Sequence, residues 1–257
     1  MKAWMTTAAL ALMLAASLAA PAKAQTHGGT GVLKIKPGAR ATGMGQAGVA
    51  LPQRALSVWW NPALLAQNQG REASSTIAKL VPDLADDVYY LNLGLATTLK
   101  GWGGVALDIM YLSYGETEAV DEEGQSYGFF SSYELVPTLG FGTRLLGDAD
   151  VAWGETGELL AAVDVGLSLK YVWVDLAPDW AMAIVGENKD GRASAVATDL
   201  GALVQGSVAN LPYALGVNIQ NLGSTLVYID ADAGDPLPRN LKAGIAVQVY
   251  DSDALTA

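Results

Sequence analysis

The chain has 257 residues and a formal net charge of −11 at pH 7, which argues against nucleic acid as a partner because phosphate binding requires basic patches. Hydrophobic residues make up 51% of the chain and charged residues only 16%, whereas an average soluble domain has about 25% charged residues. The absence of cysteine excludes disulfide bonds and thiol chemistry, and the single histidine leaves no support for a catalytic triad or a histidine-based metal site.

The N-terminus has the three parts of a secretory signal peptide. Lys2 supplies a positive charge, residues 8–20 form an apolar stretch, and residues 22–24 match the small-residue pattern of a cleavage site. We therefore predict that residues 1–24 are removed during export and that Gln25 is the first mature residue. The alternative is a buried helix or a membrane anchor, whereas a lipoprotein anchor is excluded because no cysteine follows the cleavage site.

Residues 25–72 have a different character from the rest of the chain. Their first part is rich in glycine, and residues 55–67 resemble a short helix broken by a proline. This proline cannot donate to a strand ladder, and two adjacent tryptophans offer a large apolar anchor. We predict that residues 25–72 form a plug-like segment and lead into a first strand; contact with a ligand is the alternative role. The candidate plug residues are Trp59, Trp60, Asn61 and Pro62.

From residue 73 to the end, the sequence alternates apolar and polar residues as β-strands do. The segment 163–173 is the clearest, because all its odd positions are large and apolar while Asp164, Gly166, Ser168 and Lys170 fill four of its five even positions. Successive strand residues point to opposite faces, so one face is apolar and the other polar. The seven alternating segments are residues 88–99, 103–114, 132–146, 160–176, 195–208, 213–223 and 239–250, and residues 73–80 are a weaker candidate.

The connections between these segments differ in length in a regular order. Residues 100–102 and 209–212 are tight turns, whereas residues 115–131, 177–194 and 224–238 are long. Outer-membrane barrels have short periplasmic turns and long external loops, so we predict that the long connections face outward. No apolar run after residue 24 approaches the roughly 20 residues that a membrane helix requires. This combination favours an antiparallel transmembrane β-barrel.

The aromatic residues are expected to form two girdles, which a membrane barrel has at its two interfaces and a soluble sandwich or lipocalin-like barrel lacks. The expected outer group is Tyr89, Tyr111, Tyr114, Phe129, Phe130, Tyr133, Tyr171 and Trp173, and the inner group is Trp102, Trp153, Tyr213 and Tyr250. The chain finishes at residues 251–257 without the terminal aromatic residue of bacterial barrels. We therefore expect residues 73–257 to be an incomplete barrel, with a small barrel of about eight strands as the alternative.

The polar face of the strands carries charges of both signs. They are predicted to point into the barrel, where they either line a polar conduit or pair with one another and fill the lumen. The predicted inward-facing residues are Asp108, Glu134, Arg144, Asp164, Lys170, Asp199 and Lys242. The opposite face is predicted to contact lipid, and its representatives are Leu167, Leu169, Leu215, Val217, Ile245 and Val247.

Two stretches near the N-terminus carry a family resemblance. Residues 33–50, LKIKPGARATGMGQAGVA, and residues 57–66, SVWWNPALLA, resemble the start of the PorV/PorQ group, which is similar to the FadL long-chain fatty-acid channels. Residues 214–223 and 237–239 resemble a strand and a loop entry of the same group. The resemblance implies a monomeric FadL-like barrel in the bacterial outer membrane, with an N-terminal segment in the lumen. It further implies a barrel with more strands than this chain has room for.

Two functions follow as expectations from the barrel and the resemblance. One is transport of a hydrophobic substrate or handling of cargo linked to type IX secretion; the other is a non-transporting barrel that docks partners through its external loops. The expected partners are outer-membrane lipid, and hydrophobic small molecules or secretion machinery and cargo. We expect no enzymatic activity and no cofactor, and a dinucleotide site is unsupported because the glycine motif at residues 43–48 is followed by Pro52, which breaks the helix that such a site requires. The acidic clusters at residues 116–123, 187–190 and 230–235 are expected to be solvated external loops, with Ca²⁺ binding as the alternative.

Overall fold

The computed structural model describes residues 29–147, 160–184, 186, 191–208, 211–228 and 234–248, so the predicted signal peptide lies outside the described residues. These residues form one antiparallel sheet of eight strands in sequential order. The sheet is curled into a half-barrel, which confirms the predicted all-β barrel class. The strands are β1 (Arg71–Lys79), β2 (Val88–Leu99), β3 (Gly103–Val120), β4 (Ser126–Leu146), β5 (Ala162–Asp175), β6 (Arg192–Val208), β7 (Leu211–Gly223) and β8 (Asn240–Val247).

The sheet has two ends with different connections. The end that carries the β1–β2, β3–β4, β5–β6 and β7–β8 connections is called the loop end, and the opposite end is called the turn end. At the turn end, the amide of Trp102 donates to the carbonyl of Leu99 and closes the predicted tight turn between β2 and β3. Only two residues separate β6 from β7, in agreement with the second predicted tight turn.

The alternation of the sequence corresponds to the two faces of the sheet. On β5, Leu167 and Leu169 are 49% and 51% exposed on the convex face, while Asp164 and Lys170 are buried on the concave face. The other four residues predicted to contact lipid, Leu215, Val217, Ile245 and Val247, are also exposed. Strand pairing therefore has the register that the hydrophobic pattern demands, because a slip of one residue would exchange the two faces.

The β3–β4 connection differs from the expectation. Residues 115–131 were expected to form a long loop, but β3 continues to Val120 and β4 begins at Ser126, so the expectation of a loop is wrong. A register shift between Ser113 and Gly115 marks the point where the apolar alternation ends while backbone pairing continues. Backbone pairing beyond this point needs no apolar side chains, which explains why the periodicity did not reveal it. The two strands form a long hairpin at the loop end.

The remaining long connections contain some structure. The β5–β6 connection includes a short helix, α3 (Asp179–Ile184), and β6 begins at Arg192, earlier than expected. In the β7–β8 connection, Leu226 and Asp235 form an isolated antiparallel bridge. None of the helices in the described part of the chain is long and apolar enough to cross a membrane.

Residues 29–67, called here the inner segment, precede β1 and lie on the concave face. They contain short helices that pack against β3, β4, β5 and β6. Asn61 ends one helix and begins the next: its side-chain oxygen accepts from the amide of Ala63 at 3.1 Å, and Pro62 occupies the first helical position, where no amide donor is needed. The elements are three 3-10 helices (Val32–Lys34, Arg54–Leu56 and Pro62–Gln67), α1 (Ala39–Gly43) and α2 (Ser57–Trp60).

Candidate functional site on the concave face

A row of glycines crosses the concave face and lets the inner segment touch the sheet backbone. Gly104, Gly142, Gly166 and Gly201 lie directly opposite one another on β3 to β6. A Cβ atom on Gly166 would lie 2.2 Å from the carbonyl carbon of Pro62, and the other three positions are as crowded. Glycine therefore permits a backbone-to-backbone approach that another residue would prevent. This row was not predicted, because its only sequence signal is a glycine at an inward position on each of four strands.

Asn61 joins the inner segment to β6. Its side-chain nitrogen donates to the carbonyl of Val49 at 2.8 Å and to the carbonyl of Ala202 at 3.1 Å. Together with the bond from Ala63, these contacts satisfy most of the hydrogen-bonding capacity of a fully buried amide. The structure thus places Asn61 and Pro62 beneath the sheet and not in its wall.

Trp59 and Trp60 are buried between the inner segment and β7–β8. Gln220 donates to the carbonyl of Trp59 at 2.6 Å, and Asn218 donates to the carbonyl of Trp60 at 2.9 Å. The indole nitrogen of Trp60 donates to the carbonyl of Pro37 at 3.1 Å. The two indole rings meet edge to face, with centroids 4.9 Å apart. Both tryptophans therefore hold the inner segment through main-chain and ring contacts.

Four of the seven predicted inward charges form two buried ion pairs. Lys170 Nζ lies 2.7 Å from Asp199 Oδ2 between β5 and β6, with both side chains at most 1% exposed. Arg144 Nε donates to Asp164 Oδ1 at 2.8 Å, and Gln67 of the inner segment donates to Asp164 Oδ2 at 2.9 Å. These four charges are thus paired with one another, and only Arg144 among them is partly exposed, at 11%.

The other three inward charges have partners of different kinds. Asn92 donates to both oxygens of Asp108, at 2.8 and 2.9 Å. Lys242 Nζ lies 3.6 Å from the centroid of the Trp59 ring, a cation–π contact, and has no hydrogen-bond acceptor among the described residues. Glu134 contacts only donors, which belong to the first residues of the inner segment and to Tyr114.

The Glu134 carboxylate binds the beginning of the inner segment near the loop end. It accepts from the amides of Gly31 at 2.9 Å and Val32 at 2.8 Å, and from the hydroxyl groups of Thr30 and Tyr114. The inner segment and the concave face also share an apolar cluster. Its large members are Val32, Leu33, Leu56, Trp59, Trp60, Tyr90, Met110, Leu112, Val136, Val172, Val174, Leu226 and Leu237.

The aromatic side chains separate into two groups along the strands. Tyr89, Tyr111 and Tyr133 form a ladder across β2, β3 and β4, with ring centroids 5.9 and 5.7 Å apart. Trp102 and Tyr213 lie at the turn end, whereas Trp153 and Tyr250 of the expected inner girdle lie outside the described residues. Tyr114 differs from the expected outer girdle because its hydroxyl group turns inward to Glu134.

The tip of the β3–β4 hairpin is an ordered acidic turn. Asp121 accepts from the amides of Glu123 and Gln125 and from the hydroxyl of Tyr127. The backbone hydrogen bond from Gln125, aided by the other donors, lowers the pKa of the Asp121 carboxyl group. Among the described residues, no group of three or more histidine, cysteine, aspartate and glutamate side chains is placed to hold a metal ion.

One family of known proteins matches the part of the chain that contains the inner segment and the first strands. A family model described as type IX secretion system protein PorV matches residues 19–152, about half of the chain. This range includes the whole inner segment and the first four strands. No curated protein matches the chain. The chain belongs to the PorV family, whose members are outer-membrane β-barrel components of type IX secretion.

Proposed function

We propose that this protein is an occluded barrel that handles secreted cargo by docking at the cell surface and does not pass a hydrophobic substrate through its lumen. The main support for this proposal is that the inner segment packs closely on the concave face. Its backbone touches the glycine row, and Asn61 is hydrogen-bonded to the carbonyl of Ala202 on β6. A segment held in this way covers the concave face along which a transported molecule would pass.

The polar groups of the concave face support the same role. A conduit requires polar side chains that are free to contact the passing molecule, but Lys170, Asp199 and Asp164 are fully buried and paired. Because breaking a buried ion pair costs about 3–5 kcal/mol, these groups are unlike a surface that opens for each transport event. We propose that these buried charges stabilise the contact between neighbouring strands and the contact between β5 and the inner segment.

The long hairpin supplies a surface for docking. β4 has 21 residues and is about 70 Å long, whereas the apolar band of a membrane barrel is about 25 Å tall. The strand therefore projects well beyond the membrane when its leucine-rich half lies in lipid. Phe129 on the projecting part is 64% exposed, and Phe130 meets Trp180 of α3 edge to face with centroids 6.0 Å apart. We propose that these aromatic residues contact the secretion machinery or its cargo.

Docking at the cell surface requires a particular orientation of the barrel and a signal for its export. The loop end faces the cell exterior, the exposed leucines of the convex face contact outer-membrane lipid, and residues 1–24 direct export. The acidic turn at Asp121 then lies outside the cell. The aromatic groups at the two ends mark the two membrane interfaces.

Permeability of reconstituted vesicles tests whether the lumen is closed. Vesicles that contain the wild-type protein are expected to exclude small sugars, as empty vesicles do, and a variant that lacks residues 52–68 is expected to admit them. Wild-type vesicles that admit sugars would contradict the occluded barrel and favour transport. If the deletion variant does not assemble, the wild-type measurement still decides the question.

Site-specific photo-cross-linking tests docking in cells. A photoreactive amino acid at Phe129 is expected to capture a protein of the secretion system or its cargo. The same group at Leu139, on the same strand and face but at the level of the predicted lipid band, is the matched control and should capture lipid only. Capture of lipid at both positions, with no protein, would contradict the docking role.

A further inference from the structure

The environment of Glu134 is unusual for a buried charge. The side chain is 2% exposed, and no ion pair among the described residues includes it. A buried carboxylate without a cation persists only when hydrogen bonds compensate for the water it has lost. Here all four donors come from a short stretch of chain and from Tyr114. Glu134 therefore binds residues 30–32 through two backbone amides and one side-chain hydroxyl group.

The segment that Glu134 receives has a recognisable chemistry. Thr30 contributes a hydroxyl donor, and Gly31 and Val32 contribute two successive amide donors. A Cβ atom on Gly31 would lie 2.7 Å from the hydroxyl oxygen of Tyr114, so a larger residue there would have to displace the Tyr114 side chain. Val32 and Leu33 follow and are buried in the apolar cluster of the concave face. The site thus receives a hydroxyl residue, a small residue and two aliphatic residues in order.

The β7–β8 connection closes the same site from the loop end. The amide of Gly29 donates to the carbonyl of Pro236 at 3.2 Å, and the hydroxyl of Tyr228 donates to the carbonyl of Gly29 at 2.9 Å. Burial, together with the nearby carboxylates of Glu134 and Asp235, raises the pKa of Tyr228 to about 12. Tyr228 consequently stays protonated and remains a donor across the physiological pH range.

We propose that the loop end of the concave face is a binding site for a short peptide segment that enters a 3-10 turn, as residues 29–33 do within the same chain. Glu134 recognises the backbone of the segment, and the apolar cluster receives its two aliphatic side chains. When residues 29–33 withdraw, the site accepts an equivalent segment of another protein. The identity of that protein as secreted cargo rests on the proposed function, but the site itself does not.

A peptide-binding experiment on the full chain tests this site. Replacing Val32 and Leu33 by aspartate expels residues 29–33, because a buried carboxylate without a partner is strongly disfavoured. A fluorescent peptide with the sequence of residues 28–35, GGTGVLKI, is expected to bind this variant at least tenfold more tightly than it binds the wild type, whose own segment competes. Adding Glu134→Ala should lower that affinity at least tenfold. Equal binding to wild type and variant, or no binding to a correctly assembled variant, would overturn the proposal.

Cysteine accessibility gives a second measurement that does not need the aspartate variant. The chain has no native cysteine, so Val32→Cys introduces a single reactive group. In detergent, this cysteine is expected to be protected from maleimide, and Glu134→Ala should raise its labelling rate at least tenfold. Val58→Cys, buried against the sheet at Gly140, is the matched control and should stay protected in both backgrounds. Equal labelling of Val32→Cys with and without Glu134 would overturn the proposal.

The two experiments separate this site from the proposed function. Both use purified protein, so neither depends on the orientation of the barrel or on cargo. Failure of cross-linking from Phe129 with successful peptide binding would reject the docking role and keep the site. Failure of peptide binding with successful cross-linking would reject the site and keep the docking role.

Discussion

The ammonium group of Lys242 on β8 lies 3.6 Å from the centroid of the Trp59 ring in the inner segment. It lies 4.8 Å from the centroid of the Trp60 ring as well. Lys242 is opposite Asn218 in the β7–β8 ladder, and Asn218 donates to the carbonyl of Trp60. The last two strands, β7 and β8, are therefore joined to the inner segment at neighbouring positions by the hydrogen bond from Asn218 and by the cation–π contacts of Lys242.

The first prediction concerns the net effect of this cation. A desolvated cation–π contact contributes about 2 kcal/mol, whereas removing an ammonium group from water costs several kcal/mol. Because the buried Nζ of Lys242 has no acceptor among the described residues, the cost outweighs the gain. We expect Lys242→Met, which keeps the apolar stem, to leave the free energy of unfolding unchanged or to raise it. Urea unfolding of the wild type and the variant in lipid vesicles measures this difference in the free energy of unfolding.

Lys242→Glu is the control for the charge at this position. A carboxylate over the negative face of an indole ring loses the attraction and keeps the desolvation cost. We expect this variant to unfold at a clearly lower urea concentration than the wild type. A loss of more than about 2 kcal/mol in Lys242→Met would show that the cation–π contact dominates and that the argument is wrong.

The second prediction tests the glycine row. In Gly166→Ala, the added methyl group meets the backbone at Pro62 and Ala63, which no side-chain rotation can relieve. Overpacking of this kind costs about 1–3 kcal/mol, and the inner segment should be displaced from the sheet. Gly43→Ala is the matched control, because no atom lies within 4 Å of the added group. Equal unfolding free energies for the two variants would contradict the close approach.

The strand pattern was predictable because each strand lies between two different environments. The bounds of β2 agree with the predicted segment 88–99, and β5 agrees within two residues at each end. Apolar residues on the convex face and polar or small residues on the concave face impose the period of two. The same physics explains the failure at residues 115–131, where the hairpin extends past the region in which the two faces differ.

The arrangement of the concave face was less accessible to sequence reasoning. Parity alone places Lys170 and Asp199 on one face, but their pairing depends on the register of β5 against β6. Likewise, Gly166 on its own suggests only a bend or a close approach, and its role becomes clear when the ladder places it opposite Gly142 and Gly201. Register is a long-range property that a single sequence does not show.

The third prediction locates the lipid band on one strand. Leu139 and Phe129 lie on the convex face of β4 and are 55% and 64% exposed. They are about 34 Å apart along the strand, which at a tilt of about 40° is a height difference of about 26 Å, about twice the distance from the midplane to the edge of an apolar band of about 25 Å. We expect Leu139→Arg to cost about 2–4 kcal/mol in lipid vesicles and Phe129→Arg at most about 1 kcal/mol. Equal costs at the two positions would contradict the projection of the hairpin beyond the membrane.

The fourth prediction tests the joint at Asn61. Asn61→Ala leaves the carbonyls of Val49 and Ala202 and the amide of Ala63 without their buried partner. Each unsatisfied buried group costs about 1–3 kcal/mol, so for three groups we expect a total loss of at least about 3 kcal/mol in urea unfolding. Asn61→Asp should be no better, since its carboxylate faces two carbonyl oxygens that need a donor.

Gln69→Ala is the control for Asn61, because Gln69 is exposed shortly before β1 and should change the unfolding free energy by less than about 0.5 kcal/mol. Vesicle permeability completes the test: loosening the joint in Asn61→Ala should admit small sugars that the wild type excludes. Lost stability without a change in permeability would mean that Asn61 supports the fold while other contacts keep the lumen closed. An unchanged unfolding free energy in Asn61→Ala would contradict the buried joint itself.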